Sequence, residues 1–263
     1  MSSPTSGSLG VLLDIDGVLY VGDQPIEGAR EALLELRALS AGVRLLTNTT
    51  SRSRRDVVEH LHELGFQATL EEVLTPAAMA LGHCQEQGYG SVAVLVSEKL
   101  REDLAPLEAV TAPGKVDAVI LGDLGDGFTP DVLNGAFRML MEGAELVALQ
   151  HNRFWRRSDG LALDVGAYSA ALEYAASTQA VVVGKPAAAF FEAAIADLGV
   201  DRAVMVGDDV EADVGGAMSA GLPGVLVRTG KFHRDALKAP VTPTAIVDSI
   251  AEVPSLLARL FPG

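Results

Sequence analysis

An α/β fold of doubly wound parallel strands is the class that the sequence predicts, and three observations predict it. Short β-rich runs alternate with runs of helical spacing along nearly the whole chain. Apolar residues make up 49% of the 263, yet aromatics only 5%, with Ala, Val, Leu and Gly abundant. That mix suits strands covered by helices on both faces. Several of the apolar runs also end in acid, threonine or lysine, at the strand ends where open α/β sheets place their ligands.

The elements follow in order. Residues 9–16 (LGVLLDID) read as the first strand, and 28–39 as a helix with Ala32, Leu33, Leu36 and Leu39 on one stripe. A strand at 43–48 and a helix at 54–64 come next, with Gly65 as the stop. Past the Thr75–Pro76 turn the pattern predicts a helix at 76–87 and strands at 91–97 and 116–123. A helix near 129–142 and a strand at 146–152 complete that series. Residues 152–160 (NRFWRRSDG) read as an irregular basic stretch before a helix near 167–177. The third series is a strand at 180–185, a helix near 187–198, a strand at 202–209, a helix near 212–220 and a strand at 224–230. Residues 244–250 suggest an edge strand and 253–261 a closing helix.

Composition narrows the function. A formal charge of −15 and a pI near 4.7 argue against nucleic-acid binding, because the field of the protein repels a polyanion. A small phosphorylated substrate stays open, since a metal or a few local cations reverse the sign inside one pocket. The single cysteine, Cys84, allows no intrachain disulfide and suits a reducing compartment. Residues 1–8 (MSSPTSGS) form a small, polar leader without the pattern of a signal peptide. No apolar run reaches membrane-spanning length without charge or Pro, so a cytoplasmic location is expected.

Four short motifs carry chemistry. Asp14 and Asp16 in DIDG (14–17) repel each other unless a divalent cation offsets their charge; the plain alternative is an Asp-Gly turn with solvated acids. TNTT (47–50) offers a hydroxyl and backbone N–H groups for a phosphoryl oxygen, although Thr and Asn are equally at home as helix caps. Lys185 in GKP (184–186) ends an apolar run, where an unpaired lysine is rare; an exposed loop lysine is the alternative. VGDDVEAD (206–213) supplies Asp208, Asp209, Glu211 and Asp213, some of which simple enrichment of acids in a helix's first turn would explain.

Their order, DxD then Thr then Lys then GDD, resembles the haloacid dehalogenase (HAD) superfamily over nearly the whole chain. VGKPAAAFF, VMVGDDVEADVGGAMSAG, RTGKF and GLALDVGAYSAALEYA look like its subfamily IIA, whose large C2-type cap lies between the Thr and Lys motifs. The resemblance implies a Rossmann-like core at 1–75 and 181–263, an inserted α/β cap at 76–180, and a Mg2+-dependent phosphatase. By the same resemblance Asp14 is the nucleophile that forms an aspartyl phosphate, and Asp16 the general acid and then base. Thr47, with the backbone at Asn48, holds the phosphoryl group, and Lys185 neutralises charge and orients Asp14. Mg2+ is held by the Asp14 carboxylate, the Asp16 carbonyl and the Asp208 carboxylate. Asp213 is the second acid of its motif, acting through Lys185 or metal-bound water, with Asp209 as a less certain member.

The cap is expected to choose the substrate: a small phosphate ester, phosphoamide or pyrophosphate. His151 and Asn152, or Asp164 and Gly166, are its candidates to face the leaving group, against ordinary readings as an edge histidine and a turn glycine. Arg156 and Arg157 beside Trp155 either attract a phosphorylated group or form a solvated face. Relatives of this kind also pair through the cap, so a homodimer is one expected assembly. Two rival readings differ at Asp16. A receiver module that stores an aspartyl phosphate needs no such acid, and neither does a dehalogenase. A weakly active homologue is the third rival, and the retention of every core residue argues against it.

Overall fold

The computed structural model of the chain describes residues 9–109, 115–157 and 160–261. The polar leader at 1–8 lies outside these residues, as do Ser158 and Asp159 of the basic stretch. The chain divides into two compact units. The first takes the chain as far as Thr47, Val57–Leu74 and the chain from Lys185; the second takes Asn48–Asp56 and Thr75–Gly184.

The first unit is built on a parallel six-stranded sheet. Its strands are β1 (Leu9–Asp14), β4 (Gly42–Leu46), β5 (Val73–Leu74), β12 (Arg202–Gly207), β13 (Gly224–Val227) and β14 (Ala245–Val247). They lie in the order β14-β13-β12-β1-β4-β5. β1 is central because its run LGVLLD is apolar on both faces: Val11, Leu12 and Leu13 are fully buried. Alternate residues Val11 and Leu13 join Val43, Leu45, Val204 and Val206 in one core layer. Helices α1 (Ala29–Leu39), α2 (Arg54–Glu63) and α8 (Val253–Leu260) contribute Leu33, Leu36, Leu61 and Leu257 to the same layer. Helix α6 (Ala188–Leu198) packs against β1 and β4. A two-stranded ribbon, β2 (Tyr20–Val21) with β3 (Gln24–Pro25), follows the end of β1.

The direction in which strands are added reverses at β1, while every strand runs the same way. Strands β4 and β5 are added on one side and β12, β13 and β14 on the other. The carboxyl ends of β12, β1 and β4 are therefore neighbours at a topological switch point. Register fixes this closely: Leu13 pairs with Val206, and Asp14 with Leu46.

The second unit has its own parallel sheet, β11 (Val181–Val182), β8 (Glu145–Ala148), β7 (Ala118–Leu121) and β6 (Val92–Leu95), in that order. Helices α3 (Pro76–Gln87), α4 (Pro130–Met141) and α5 (Val165–Ala176) accompany it. The Thr-Pro pairs explain where two of them start. Thr75 Oγ1 accepts from Ala78 N at 3.2 Å and Thr129 Oγ1 from Val132 N at 3.3 Å, with proline in the first turn of each helix.

Three features differ from the sequence expectation. The sequence predicts residues 180–185 as a strand, the first of the series that returns to the core. Instead β11 pairs with β8, with Val183 N donating to Ala148 O at 3.0 Å, so 181–184 belong to the second unit's sheet. The apolar run AVVV carries no mark of which sheet it will join. The stretch 152–160, expected to be irregular, contains the antiparallel ribbon β9 (Phe154–Arg157) with β10 (Gly160–Leu163). After β12 the chain makes a π-helical turn at Val210–Gly215 before a short helix α7 (Gly216–Ser219). Among the described residues no helix is long and apolar enough to cross a membrane.

Candidate active site

The site grows from the ends of β1 and β12. Asp14 is the last residue of β1 and is buried; Asp208 follows β12 and is buried beside it. Asp213 comes one turn later and reaches back, because the π-turn (Val214 N donating to Asp209 O at 3.2 Å) aims its carboxylate inward. Its Oδ2 accepts from Asp209 N at 3.1 Å. Asp209 itself caps the turn, its Oδ1 accepting from Glu211 N and Ala212 N at 3.0 Å. Gly207 makes room for this return: a Cβ there would fall on the Asp213 side chain.

Lys185 completes the cluster. It is only 3% exposed, and its Nζ lies 2.5 Å from Asp14 Oδ1 and 2.7 Å from Asp213 Oδ1. A buried ammonium needs such partners. Its place is not the end of a strand in the first sheet, as the motif suggested. It follows the second unit's β11 and enters the first unit through the Gly184–Pro186 connection.

The charges do not balance within the cluster. Lys185 contacts Asp14 and Asp213, and one oxygen of each of Asp14, Asp208 and Asp213 lies within 4.8 Å of the others. Burial, the largest influence, raises all three carboxyls from their ordinary 3.8 to about 6. Lys185 opposes this at Asp14 and Asp213, and the Lys231 N–H opposes it at Asp208. Burial disfavours the charge on Lys185, but Asp14 and then Asp213 outweigh it and raise its pKa.

Three hard carboxylates at this spacing suit Mg2+ or Ca2+. A specific atom agrees: Asp208 Oδ1 is buried and has no hydrogen-bond partner among the described residues. Asp14 and Asp208 could hold a divalent cation there, while Asp213 faces Lys185.

The remaining sequence candidates separate into two groups. Thr47 is buried directly after β4, its N–H donating to Leu74 O at 3.2 Å, so it stands on the same edge as Asp14. Asp16 is exposed two residues beyond Asp14, and its carboxylate is not part of the acidic group. Asn48 belongs to the second unit, as do His151, Asn152, Asp164 and Gly166.

Local structure accounts for much of that second group. His151 is exposed with Nε2 3.4 Å from Glu173 Oε2. Asp164 caps α5, its Oδ1 accepting from Val165 N at 2.8 Å and Gln150 Nε2 at 2.5 Å. Gly166 is buried where a Cβ would meet the His151 and Asn152 carbonyls. Asp164 also lines a cavity of about 150 Å3 in this unit, with Asn48, Asp123, Gln150, Asn152 and Trp155. His151 and Gly166 are not among its lining residues.

Sequence reasoning quoted Thr229–Lys231 within RTGKF but gave it no role in the site; it follows β13 after Arg228. Lys231 N donates to Asp208 Oδ2 at 2.5 Å, and Thr229 Oγ1 donates to Gly17 O at 2.5 Å. The signal was present as a Thr-Gly-Lys run ending a strand, but a main-chain donor leaves no residue-type signature.

Comparison with known proteins places this geometry in a family. Residues 11–108 match the family described as haloacid dehalogenase-like hydrolase, and 182–253 match a second HAD hydrolase-like description. Haloacid dehalogenase-like hydrolase domain-containing protein 2 of Bos taurus is 39% identical over 254 residues, 96% of this chain and 92% of that protein. Phospholysine phosphohistidine inorganic pyrophosphate phosphatase of Homo sapiens is 38% identical over 263 residues, covering 97% and 96%. Among solved structures, glycerol phosphate phosphatase from Mycobacterium tuberculosis in complex with magnesium is 33% identical, with a TM-score of 0.83 over 93% of this chain and 75% of that one. The same protein is also solved in complex with calcium. With Asp14, Asp208, Asp213 and Lys185 gathered in one buried cluster and two curated relatives matched over more than nine-tenths of their length, the chain belongs to the haloacid dehalogenase-like hydrolases, among the phosphatases of that family.

Proposed function

We propose that the chain hydrolyses a small phosphorylated molecule through a covalent aspartyl phosphate on Asp14, with Mg2+ as its cofactor. The observation that carries this reading is the buried contact of Lys185 with Asp14 at 2.5 Å, beside an Asp208 oxygen that has no hydrogen-bond partner among the described residues. Lys185 fixes the rotation of the Asp14 carboxylate and opposes the proton uptake that burial favours, which keeps a nucleophile near neutral pH.

In this reading an Asp14 oxygen attacks phosphorus as the bond to the leaving atom breaks, an oxygen in an ester or pyrophosphate and a nitrogen in a phosphoamide. Asp16, exposed two residues on, gives that atom its proton. The Asp16 carboxylate then takes a proton from water, whose oxygen attacks the phosphorus. Phosphate leaves and the Asp14 carboxylate is restored. Thr47 and the Asn48 main chain hold the transferring oxygens, and Lys185 offsets their charge. Asp14, Asp208 and the Asp16 carbonyl would hold the cation, and Asp213 keeps Lys185 in place. When bound, the cation supplies positive charge against the phosphoryl oxygens.

The substrate class is a phosphate ester, phosphoamide or pyrophosphate, the range spanned by the names of the relatives. We assign substrate choice to the second unit as a cap, whose cavity takes in Asn48, the residue after Thr47. The test is phosphate release from a panel of these compounds, with and without Mg2+, for the wild type and Asp14→Asn. The variant should fold and lose at least about four orders of magnitude in rate. Near-normal turnover by Asp14→Asn, or full activity in excess chelator, sinks the mechanism.

A further inference from the structure

Thr229 belongs to none of the four motifs, yet its hydroxyl ties together two parts of the acidic site. The segment after β13 makes two contacts in opposite directions. Thr229 Oγ1 donates to Gly17 O at 2.5 Å, on the loop that carries Asp14 and Asp16. Lys231 N donates to Asp208 Oδ2 at 2.5 Å. Gly230 sits between them with φ +61°, and Gly17 faces it with φ +90°. A Cβ on either glycine would fall on the Asp208 carboxylate. Two stretches of main chain therefore converge on one acid.

The main-chain bonds of the 14–17 loop run to other sides. Ile15 N donates to Leu46 O on β4, while Gly17 N and Leu19 N bond within the loop, to Tyr20 O and Ile15 O. Mutual repulsion of Asp14 and Asp208 pushes the loop and Asp208 apart, and burial strengthens that push. A side-chain hydroxyl that bridges to the loop opposes it.

We propose that Thr229 is a positioning residue for phosphoryl transfer: its hydroxyl fixes the Asp14–Gly17 loop against Asp208, so that the nucleophile and the acid sharing its cation keep one spacing. This rests on the reading of the site given above. Groups that orient ligands and nucleophiles from behind typically change metal affinity or rate by about ten- to a hundredfold when removed.

The experiment compares the wild type, Thr229→Val and Thr229→Ser. Three quantities are read: kcat and KM for 4-nitrophenyl phosphate, the affinity for Mg2+ alone by titration calorimetry, and Tm in chelator. Thr229→Val should lower kcat about tenfold or more and weaken Mg2+ binding several-fold, with KM and Tm nearly unchanged. Thr229→Ser, which keeps the donor, should restore both. Thr229→Ala serves the same comparison if the valine variant does not fold. A valine or alanine variant with wild-type kcat and Mg2+ affinity overturns the assignment, and so does a loss that serine fails to rescue. If the wild type itself neither binds Mg2+ nor releases phosphate, the reading of the site falls and this inference with it. If the wild type does both, failure falls on Thr229 alone.

Discussion

Replacing Lys185 with methionine removes one positive charge from among three buried carboxylates while keeping most of the side chain's length. In the metal-free protein the effect on stability should depend strongly on pH. Lys185 lies 2.5 Å from Asp14 and 2.7 Å from Asp213, so two acids lose the same partner. Breaking a buried pair from one side costs about 3–5 kcal/mol, and the upper part of that range applies when both acids are ionised. For a chain of this size each kcal/mol shifts Tm by roughly 2–4 °C, so a fall of about 10 °C or more is expected at pH 8. The penalty falls toward acid. Asp14 and Asp213 have folded-state values of about 6 against an ordinary 3.8. Protons therefore favour the folded state, and their stabilising effect is lost as pH rises from about 4 through about 6. In the variant these values rise further, so at pH 5 both acids are neutral and need no counter-ion. The raised Lys185 stays charged throughout this window, because its contribution is lost only above its ordinary 10.5. The wild-type-minus-variant difference in Tm, measured in chelator, should thus shrink or invert between pH 8 and pH 5. With saturating Mg2+ at pH 8, kcat should fall by roughly three orders of magnitude. An equal Tm difference at both pH values would refute the electrostatic account of Lys185.

Three further outcomes follow from the same geometry. Asp16→Ala should slow turnover much more for alkyl phosphates than for 4-nitrophenyl phosphate, whose leaving group needs no proton; equal losses would remove Asp16 as the acid. The Mg2+ concentration for half-saturation should rise by about tenfold or more from pH 7 to pH 5, as protons compete at Asp14 and Asp208, both near 6; calorimetry showing flat affinity would contradict this. Gly230→Ala should weaken Mg2+ binding and cut kcat by about tenfold or more, since the new methyl falls on Asp208. Gly221→Ala is its control, because Gly221 has φ +79° with nothing within 4 Å, so backbone strain alone is tested there.

How far the sequence spoke depended on what kind of signal each part left. The β1 strand was legible because LGVLLD is an unbroken apolar run, and helix α3 was legible to both ends because Thr75, Pro76 and Gly88 mark them. Asp14, Asp208 and Lys185 could be singled out because charged residues at the ends of apolar runs are conspicuous. What they touch was not legible. Lys185 reaches Asp14 across 171 positions, and the strand before it joins a sheet that its AVVV run does not specify. The hairpin β9–β10 was hidden by its arginines, and by Leu161 and Leu163, which stay largely exposed and so break the usual inside–outside alternation. The Thr229 and Lys231 contacts were illegible for a different reason. One ends on a carbonyl and the other begins at a main-chain N–H, and every residue type offers those.

The central position of β1 also dictates when the first sheet can close. Its partner on one side, β4, is synthesised within the next few dozen residues, but its partner on the other side, β12, begins only at Arg202. Until then β1 presents an open edge of unpaired backbone on its most apolar strand, the kind of edge that invites pairing with another chain. The strands β6, β7, β8 and β11 of the second sheet all arrive inside that interval. A nascent or truncated chain ending near Gly184 would therefore hold a complete second sheet beside an unfinished first one. C-terminal truncations that remove β12 should then be far more aggregation-prone than ones that remove only the edge strand β14 and helix α8.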